Sequence, residues 1–236
     1  MSYSATRDRL TTYFDKTAAD AWRALTSEEK VSRIRATVRA GRDEMRAAIL
    51  ALLPSDLEGV RLYDAGCGTG ALSVAAAQAG ASVLAVDVSP TMIEIARERT
   101  DRSVPEATQA DAGQIDFRAG DMLTALEETV AHAVAMDSLI HYRLEDVVAA
   151  LTHLAPQVSR SIVFTFAPRT PLLAAMHTVG GLFPRGDKAP AIVPIAERRL
   201  VAALRAEPAL SPFAIGRTVR ISRGFYTSQA LQLVRR

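Results

Sequence analysis

Residues 60–89, VRLYDAGCGTGALSVAAAQAGASVLAVDVS, decide the fold of this chain. VRLYDA reads as a short buried strand that breaks into the turn DAGCGTG (64–70), and ALSVAAAQA reads as a helix stopped by Gly80. Gly66 and Gly68 allow a tight turn and let a ligand approach the backbone with no Cβ between, while Gly70 lets the new helix pack close. ASVLAVD supplies a second buried strand ending on Asp87. Val88 follows, then Ser89 and Pro90 as the N-cap and first position of another helix. Alternating strands and helices of this length belong to a mainly parallel, Rossmann-like α/β sheet with helices on both faces.

Two ligand classes fit such a turn. With Gly66, Gly68 and Ala71 as the small positions, it satisfies the dinucleotide fingerprint. Asp87 suits either class, since an acid about 20 residues beyond the turn accepts hydrogen bonds from ribose hydroxyls. The other acids separate the two. Asp64, just before the turn, would repel a pyrophosphate and favour the ammonium of an adenosyl cofactor that ends in an α-amino acid. Asp121, after Gly120 at the end of the third strand, can accept from adenine's exocyclic amine with Met122 against the ring, which a dinucleotide does not require. Plainer roles stay open: Asp64 as a cap of the loop, Asp87 as a cap of the next helix. Cys67 reads as a small loop residue rather than a nucleophile, because no base is fixed beside it in sequence.

Outward from this unit, IDFRAGD (115–121) and AVAMDS (133–138) read as strands, with a short helix near LTALEETV (123–130) between them. RLEDVVAALTHLA (143–155) reads as a helix and SIVFTFAP (161–168) as a fifth strand. PLLAAMHTVGGLF (171–183) and VPIAERRLVAALRA (193–206) read as helices around the connection FPRGDKAP. FAIGRTVRI (213–221) and GFYTSQALQLV (224–234) suit a closing hairpin. Upstream, YFDKTAADAWRALTS (13–27) and GRDEMRAAILALL (41–53) have helical spacing, and Pro54 ends the second. Between them, Arg33, Arg35, Arg39 and Arg42 leave a stretch basic on more than one face, for which mobility is expected.

The 28 basic and 26 acidic residues give a net charge of +2 and are interspersed, so no stripe tracks a phosphate backbone and nucleic acid is excluded as a partner. A single cysteine forbids an internal disulfide, as in a reducing compartment. MSYSATRDRL lacks the apolar run of a signal peptide, and no stretch is apolar enough to span a bilayer, which sets the expectation of a cytoplasmic protein. Peripheral membrane contact through Trp22, Met176, Val179, Leu182 and Phe183 is the one lipid role left open; core packing is the alternative for these residues. His132, His153 and His177 have no carboxylates at ligand spacing, so no protein-bound metal is expected.

DAGCGTG, AVDVSP and AGDM resemble the class I S-adenosylmethionine (SAM)-dependent methyltransferase superfamily over roughly residues 60–170. YFDKTAADAW (13–22), VRAGRDEMR (38–46), MDSLIHY (136–142), VFTFAPRTPLL (163–173), GLFPRGD (181–187) and GFYTSQAL (224–231) are similar to the magnesium-protoporphyrin IX O-methyltransferase family of (bacterio)chlorophyll synthesis. The resemblance implies seven strands ending in an antiparallel hairpin, an N-terminal helical lid (1–55), and a methyltransferase domain (56–236) with a substrate-capping insertion at about 170–205. It implies SAM as co-substrate, methylation of the ring-C propionate of magnesium protoporphyrin IX, and a magnesium that belongs to the substrate. Contact with the large subunit of magnesium chelatase and with the photosynthetic membrane is implied too.

The implied cofactor residues are Asp64, Gly66, Cys67, Gly68, Gly70, Asp87, Val88, Asp121, Met122 and Asp137. His141 and Tyr13 are the expected catalytic pair. His141 would donate a hydrogen bond to the propionate or give an axial nitrogen to the magnesium, the first preferred; a histidine satisfied by backbone at a helix start is the alternative. Tyr13 would orient substrate or simply pack. Arg39 and Arg42 could pair with a carboxylate of cofactor or substrate, or lie on the surface. Phe164, Phe166, Leu172, Met176, Phe183 and Phe225 are apolar enough to line a macrocycle pocket or to fill the core.

Overall fold

The computed structural model describes residues 3–16, 33–103, 114–169 and 191–236. Two helices, α1 (Tyr3–Lys16) and α2 (Arg33–Leu50), precede the alternating part of the chain. That part runs β1 (Arg61–Ala65), α3 (Ala71–Gln78), β2 (Ser82–Asp87), α4 (Pro90–Ser103), β3 (Ile115–Ala119), β4 (Val130–Ala135), α5 (Leu144–Leu154) and β5 (Val158–Phe166). α6 (Glu197–Ala206), β6 (Phe213–Arg223) and β7 (Tyr226–Arg235) close it. The seven strands form one sheet in the order β3-β2-β1-β4-β5-β7-β6. β1 to β5 are parallel, and β7 pairs antiparallel with both β5 and β6.

Alternation along the strands divides the core in two. Tyr63, Ala65, Ala133, Ala135, Ile162, Phe164, Phe166, Leu231 and Leu233 face one layer, packed with Leu151 and Leu154 of α5 and Leu200 and Leu204 of α6. Leu62, Val83, Ala85, Val134, Val163 and Ala230 face the other, packed with Met45 and Ile49 of α2 and Leu72 and Ala76 of α3. Phe164 and Phe166 are therefore core residues, while Leu172, Met176, Phe183, Trp22 and the 171–183 helix lie outside the described residues. No described helix is long and apolar enough to cross a membrane.

The stretch expected to be mobile is instead the first half of α2, one helix from Arg33 to Leu50. Val38, Gly41, Met45 and Ile49 recur at helical spacing and turn one face onto the β6–β7 hairpin. The far end of α2 is satisfied by that hairpin too: Gln232 Nε2 donates to Leu52 O (2.7 Å) and an Arg217 guanidinium nitrogen to Ala51 O (2.5 Å). The short helix expected near 123–130 does not form. Gln157 Oε1 takes the N–H of Leu126 (2.5 Å) and Tyr63 Oη donates to Met122 O (2.9 Å), so the first donor and acceptor a helix here would pair are held by side chains.

Gly41 gives a test of the packing of α2. A mid-helix Gly→Ala exchange ordinarily gains ~0.5–1 kcal/mol, but a Cβ here would stand 2.4 Å from Tyr226 Cδ1. Gly41→Ala is expected to lose ~1–3 kcal/mol, the usual cost of overpacking, read as a lower Tm in thermal denaturation. A raised Tm would mean that the Tyr226 ring yields without cost.

Candidate active site

The strand order reverses between β1 and β4, and the carboxyl ends of these strands open a crevice there, as open α/β sheets do. Gly66, at φ 85°, lets the turn after β1 press against the turn after β4: a Cβ on it would meet Ser138 Cβ at 2.3 Å. Ser138 Oγ donates to Ala65 O (2.8 Å), which ties the two strand ends together. The turn folds back on β2, with the N–H groups of Gly66 and Cys67 both donating to Val86 O (2.8 and 3.0 Å). A Cβ on Gly68 would meet nothing within 4 Å, so the backbone there faces open space.

That space is a cleft of about 390 Å³. Of the residues expected at the cofactor, Gly66, Cys67, Gly68, Asp87, Val88, Asp121, Met122 and Asp137 line it, joined by Thr69, Met92, Met136 and Ser138. Asp87 is fixed from both oxygens: Oδ2 accepts from Gly68 N (2.8 Å) and Oδ1 from Ser89 N (2.9 Å). Burial raises the Asp87 pKa, and these two backbone N–H groups oppose the rise. Asp87 thus braces the glycine turn and the residue before α4, while the cap of α4 itself is Ser89.

Asp64 and Gly70 stand behind the turn and are not among the residues lining the cleft. Asp64 is 1% exposed, and its Oδ2 accepts from Ser73 Oγ in the first turn of α3 (2.6 Å). Burial pushes its pKa up to about 7, against the pull of the Ser73 hydrogen bond. Its carboxylate is turned to Ser73 on α3 and away from the lining of the cleft. Burial also raises the Cys67 thiol, which removes thiolate chemistry there.

α1 lies across the carboxyl ends of β2 and β3 and is held at two places. At its start, Tyr3 Oη donates to Asp121 Oδ1 (2.6 Å) and Arg7 to Asp121 Oδ2 (2.8 Å), while the Tyr3 ring stacks on Tyr142 at 5.0 Å. Burial alone would raise the Asp121 carboxyl; hydrogen bonds from Tyr3, Leu123 and Arg7 outweigh it and hold the pKa below its ordinary value. At its end, Asp15 accepts from Ser89 Oγ and from Thr91 N. Ser89 itself caps α4, accepting from Met92 N (3.2 Å). Leu10, Tyr13 and Phe14 of α1 line the cleft, with Tyr13 edge-on to Phe14. Nothing in the sequence pointed to Tyr3 or Arg7, because their partner Asp121 lies 114 to 118 residues away.

Asp137 is the one non-glycine residue with positive φ (56°) among those described, a strained conformation kept where the surroundings over-determine it. Its carboxylate accepts from the hydroxyls of Tyr226 (3.1 Å), Ser228 (3.0 Å) and Thr165 (3.2 Å) and pairs with the Arg42 guanidinium at 3.4 Å. Arg42 thus lies in the cleft, and Arg39 is not among its lining residues.

His141 closes a 3-10 turn, Leu139–His141, and lines the cleft beside Ile140 and Tyr142. Burial lowers its pKa, with Ala191 O opposing, so the ring is neutral at pH 7. A carbonyl can only accept, so the contact from Nδ1 to Ala191 O (3.3 Å) assigns the proton to Nδ1 and leaves a lone pair on Nε2. No group of three or more potential metal ligands occurs among the described residues.

Residues 135–235 match the family model described as the magnesium-protoporphyrin IX methyltransferase C-terminus, and residues 62–159 match a methyltransferase domain. The magnesium-protoporphyrin O-methyltransferase of Rhodobacter capsulatus is 44% identical over 98% of this chain and 97% of its own length. That of Synechocystis is 33% identical over 94% of each. The crystal structure of magnesium protoporphyrin IX methyltransferase from Synechocystis PCC 6803 with bound SAH aligns at TM-score 0.83 and 31% identity, covering 98% of this chain and 100% of that one. With its sheet order, its glycine turn and this likeness from end to end, the chain belongs to the magnesium-protoporphyrin O-methyltransferase family of class I SAM-dependent methyltransferases.

Proposed function

We propose that this protein transfers the methyl group of SAM to a propionate carboxylate of magnesium protoporphyrin IX, giving the monomethyl ester for (bacterio)chlorophyll synthesis. The carrying observation is the full-length likeness to enzymes of that name, together with a cleft that joins a glycine turn to an aromatic-lined lid. A propionate has a pKa near that of Glu, about 4.3, so at pH 7 it is already the nucleophile. Its oxygen attacks the methyl carbon, the C–S bond breaks, and the electron pair neutralises the sulfonium to leave S-adenosylhomocysteine.

No strong base is required, so the protein's work is alignment, worth up to ~7–11 kcal/mol. Asp87 is the acceptor for the ribose. Asp121 spends three of its roughly four lone-pair sites on Tyr3, Leu123 and Arg7, and the remaining one, on Oδ2, is the acceptor for the adenine amine. Met122, Val88, Gly66, Cys67 and Gly68 surround the cofactor, and α1 shields the reacting carboxylate from water. Tyr13 reaches the substrate from that lid. With Nδ1–H turned to Ala191 O, the lone pair on Nε2 of His141 supports the second of its two expected roles, that of a nitrogen ligand to the substrate's magnesium.

The porphyrin arrives from the large subunit of magnesium chelatase, and the enzyme works in the cytoplasm with peripheral contact to the photosynthetic membrane. Support for both is the nature of the substrate, a sparingly soluble macrocycle that gains from direct hand-over. Co-sedimentation with that subunit and with lipid vesicles tests them.

Labelled methyl transfer, with magnesium protoporphyrin, metal-free protoporphyrin and a catechol offered side by side, tests the reaction. Label is expected in the magnesium porphyrin, with no pH-rate limb from the acceptor above pH ~6, since a carboxylate of pKa ~4.3 is already ionised there. Label in the catechol alone would overturn the reading. His141→Phe is expected to lower kcat roughly 10²-fold, the usual cost of a misplaced substrate, and to leave the Kd for SAM unchanged.

A further inference from the structure

The large apolar side chains most exposed among the described residues are Phe225 (56%), Val234 (38%) and Ile192 (37%). Two of them, Phe225 and Ile192, line the same cleft as Asp87 and His141. Exposed apolar residues scattered singly need no explanation, but a pair gathered on one functional cavity does.

The local structure of Phe225 sharpens the point. Arg223 pairs with Tyr226, so Gly224 and Phe225 form a two-residue loop between β6 and β7. Gly224 has φ 55° and Phe225 does not share a positive φ, the pattern of a type II′ turn, with glycine first. The second position of such a loop suits a small polar residue, and a phenylalanine there contributes nothing to the turn while leaving its ring in water. The turn is also braced. Gly224 lies against α2, where an added Cβ would come within 2.9 Å of Thr37 Oγ1. The next residue, Tyr226, is 8% exposed and bound to Asp137. Phe225 is therefore an exposed aromatic ring held out at the cleft on a pinned support.

Ile192 is fixed in a comparable way, by its neighbour Val193 donating to Ile140 O (2.8 Å), one residue before His141. A flat π-system is the ligand chemistry that such side chains recognise, since aromatic rings stack offset or edge-on and bury much apolar area.

We infer that Phe225 is a specificity-determining residue that packs on the face of the tetrapyrrole macrocycle, with Ile192 as a second apolar contact. The inference rests on the reaction proposed above and names the side chain that reads the ring. Because Tyr226 follows Phe225 directly, the hairpin joins the macrocycle contact to the polar cluster around Asp137 and Arg42.

Phe225→Ala, Phe225→Trp and wild type are to be compared by methyl-transfer kinetics, by SAM titration and by quenching of magnesium-protoporphyrin fluorescence. Phe225→Ala is expected to raise the KM and Kd for the porphyrin about tenfold, which corresponds to about 1.4 kcal/mol. The Kd for SAM and the Tm stay as in wild type, and Phe225→Trp restores the porphyrin constants to within about threefold. Unchanged porphyrin constants in Phe225→Ala, in a wild-type background that turns over, would overturn the inference and leave the reaction standing. Loss of vesicle binding with an unaltered porphyrin KM would assign the ring to a lipid surface and overturn it equally. A wild-type protein that neither binds nor methylates the porphyrin would remove the reaction itself.

Discussion

Asp87→Ala is expected to weaken SAM binding roughly 10²–10⁴-fold, because two hydrogen bonds from ribose hydroxyls to a charged acceptor, at ~1.5–3 kcal/mol each, are lost together. The same substitution strips acceptors from Gly68 N and Ser89 N, so the glycine turn loosens beside the start of α4. Asp87→Asn keeps one acceptor oxygen and is expected to fall between wild type and Asp87→Ala. Isothermal titration with SAM and with S-adenosylhomocysteine reads the effect directly. A Kd for Asp87→Ala within threefold of wild type would place the ribose elsewhere.

Asp64→Asn should make the cofactor-free protein more stable at pH 8. The folded pKa, about 7, lies above the unfolded value of 3.8. Such a raised carboxyl contributes stability that is fully present below pH 3.8 and is lost as pH rises through about 7. Across that interval the wild type forfeits about 4 kcal/mol at 1.36 kcal/mol per unit. The asparagine, which cannot ionise and can still accept from Ser73, does not. At 2–4 °C per kcal/mol for a chain of this size, the gain in Tm is roughly 10 °C at pH 8, shrinking toward zero at pH 4. The same exchange removes the negative field under the glycine turn, so weaker SAM binding accompanies the added stability. A Tm at pH 8 equal to or below wild type would show that Asp64 is stabilised as an anion.

The layout of the sheet was legible because its signals are local: apolar runs, the glycine turn, Ser89 before Pro90, and two closing apolar stretches suited to a hairpin. Asp87, Asp121 and Met122 reach the cleft because they stand at or just past strand ends that periodicity had located, and His141 because the short turn after β4 returns to the same edge. Local signals misled where side chains compete with the backbone, as Gln157 and Tyr63 do at Leu126 and Met122, or where a distant surface completes an amphipathic face, as the hairpin does for α2. Asp64 was read toward the ligand because spacing fixes which strand end a residue occupies and leaves open which way its carboxylate turns. Tyr3, Arg7, Tyr226 and Ser228 escaped notice since their partners lie 89 to 118 residues away, a separation that no pattern in one sequence encodes.

β7 lies inside the sheet, between β5 and β6, although it leaves the ribosome after every other described strand. Until it does, β5 presents an open hydrogen-bonding edge, the kind that invites other chains to pair. The Asp137 carboxylate lacks Tyr226 and Ser228 over the same interval. A growing polypeptide thus has no finished pocket and an adhesive flank at once, so chaperone demand should peak in the interval before β7 has emerged.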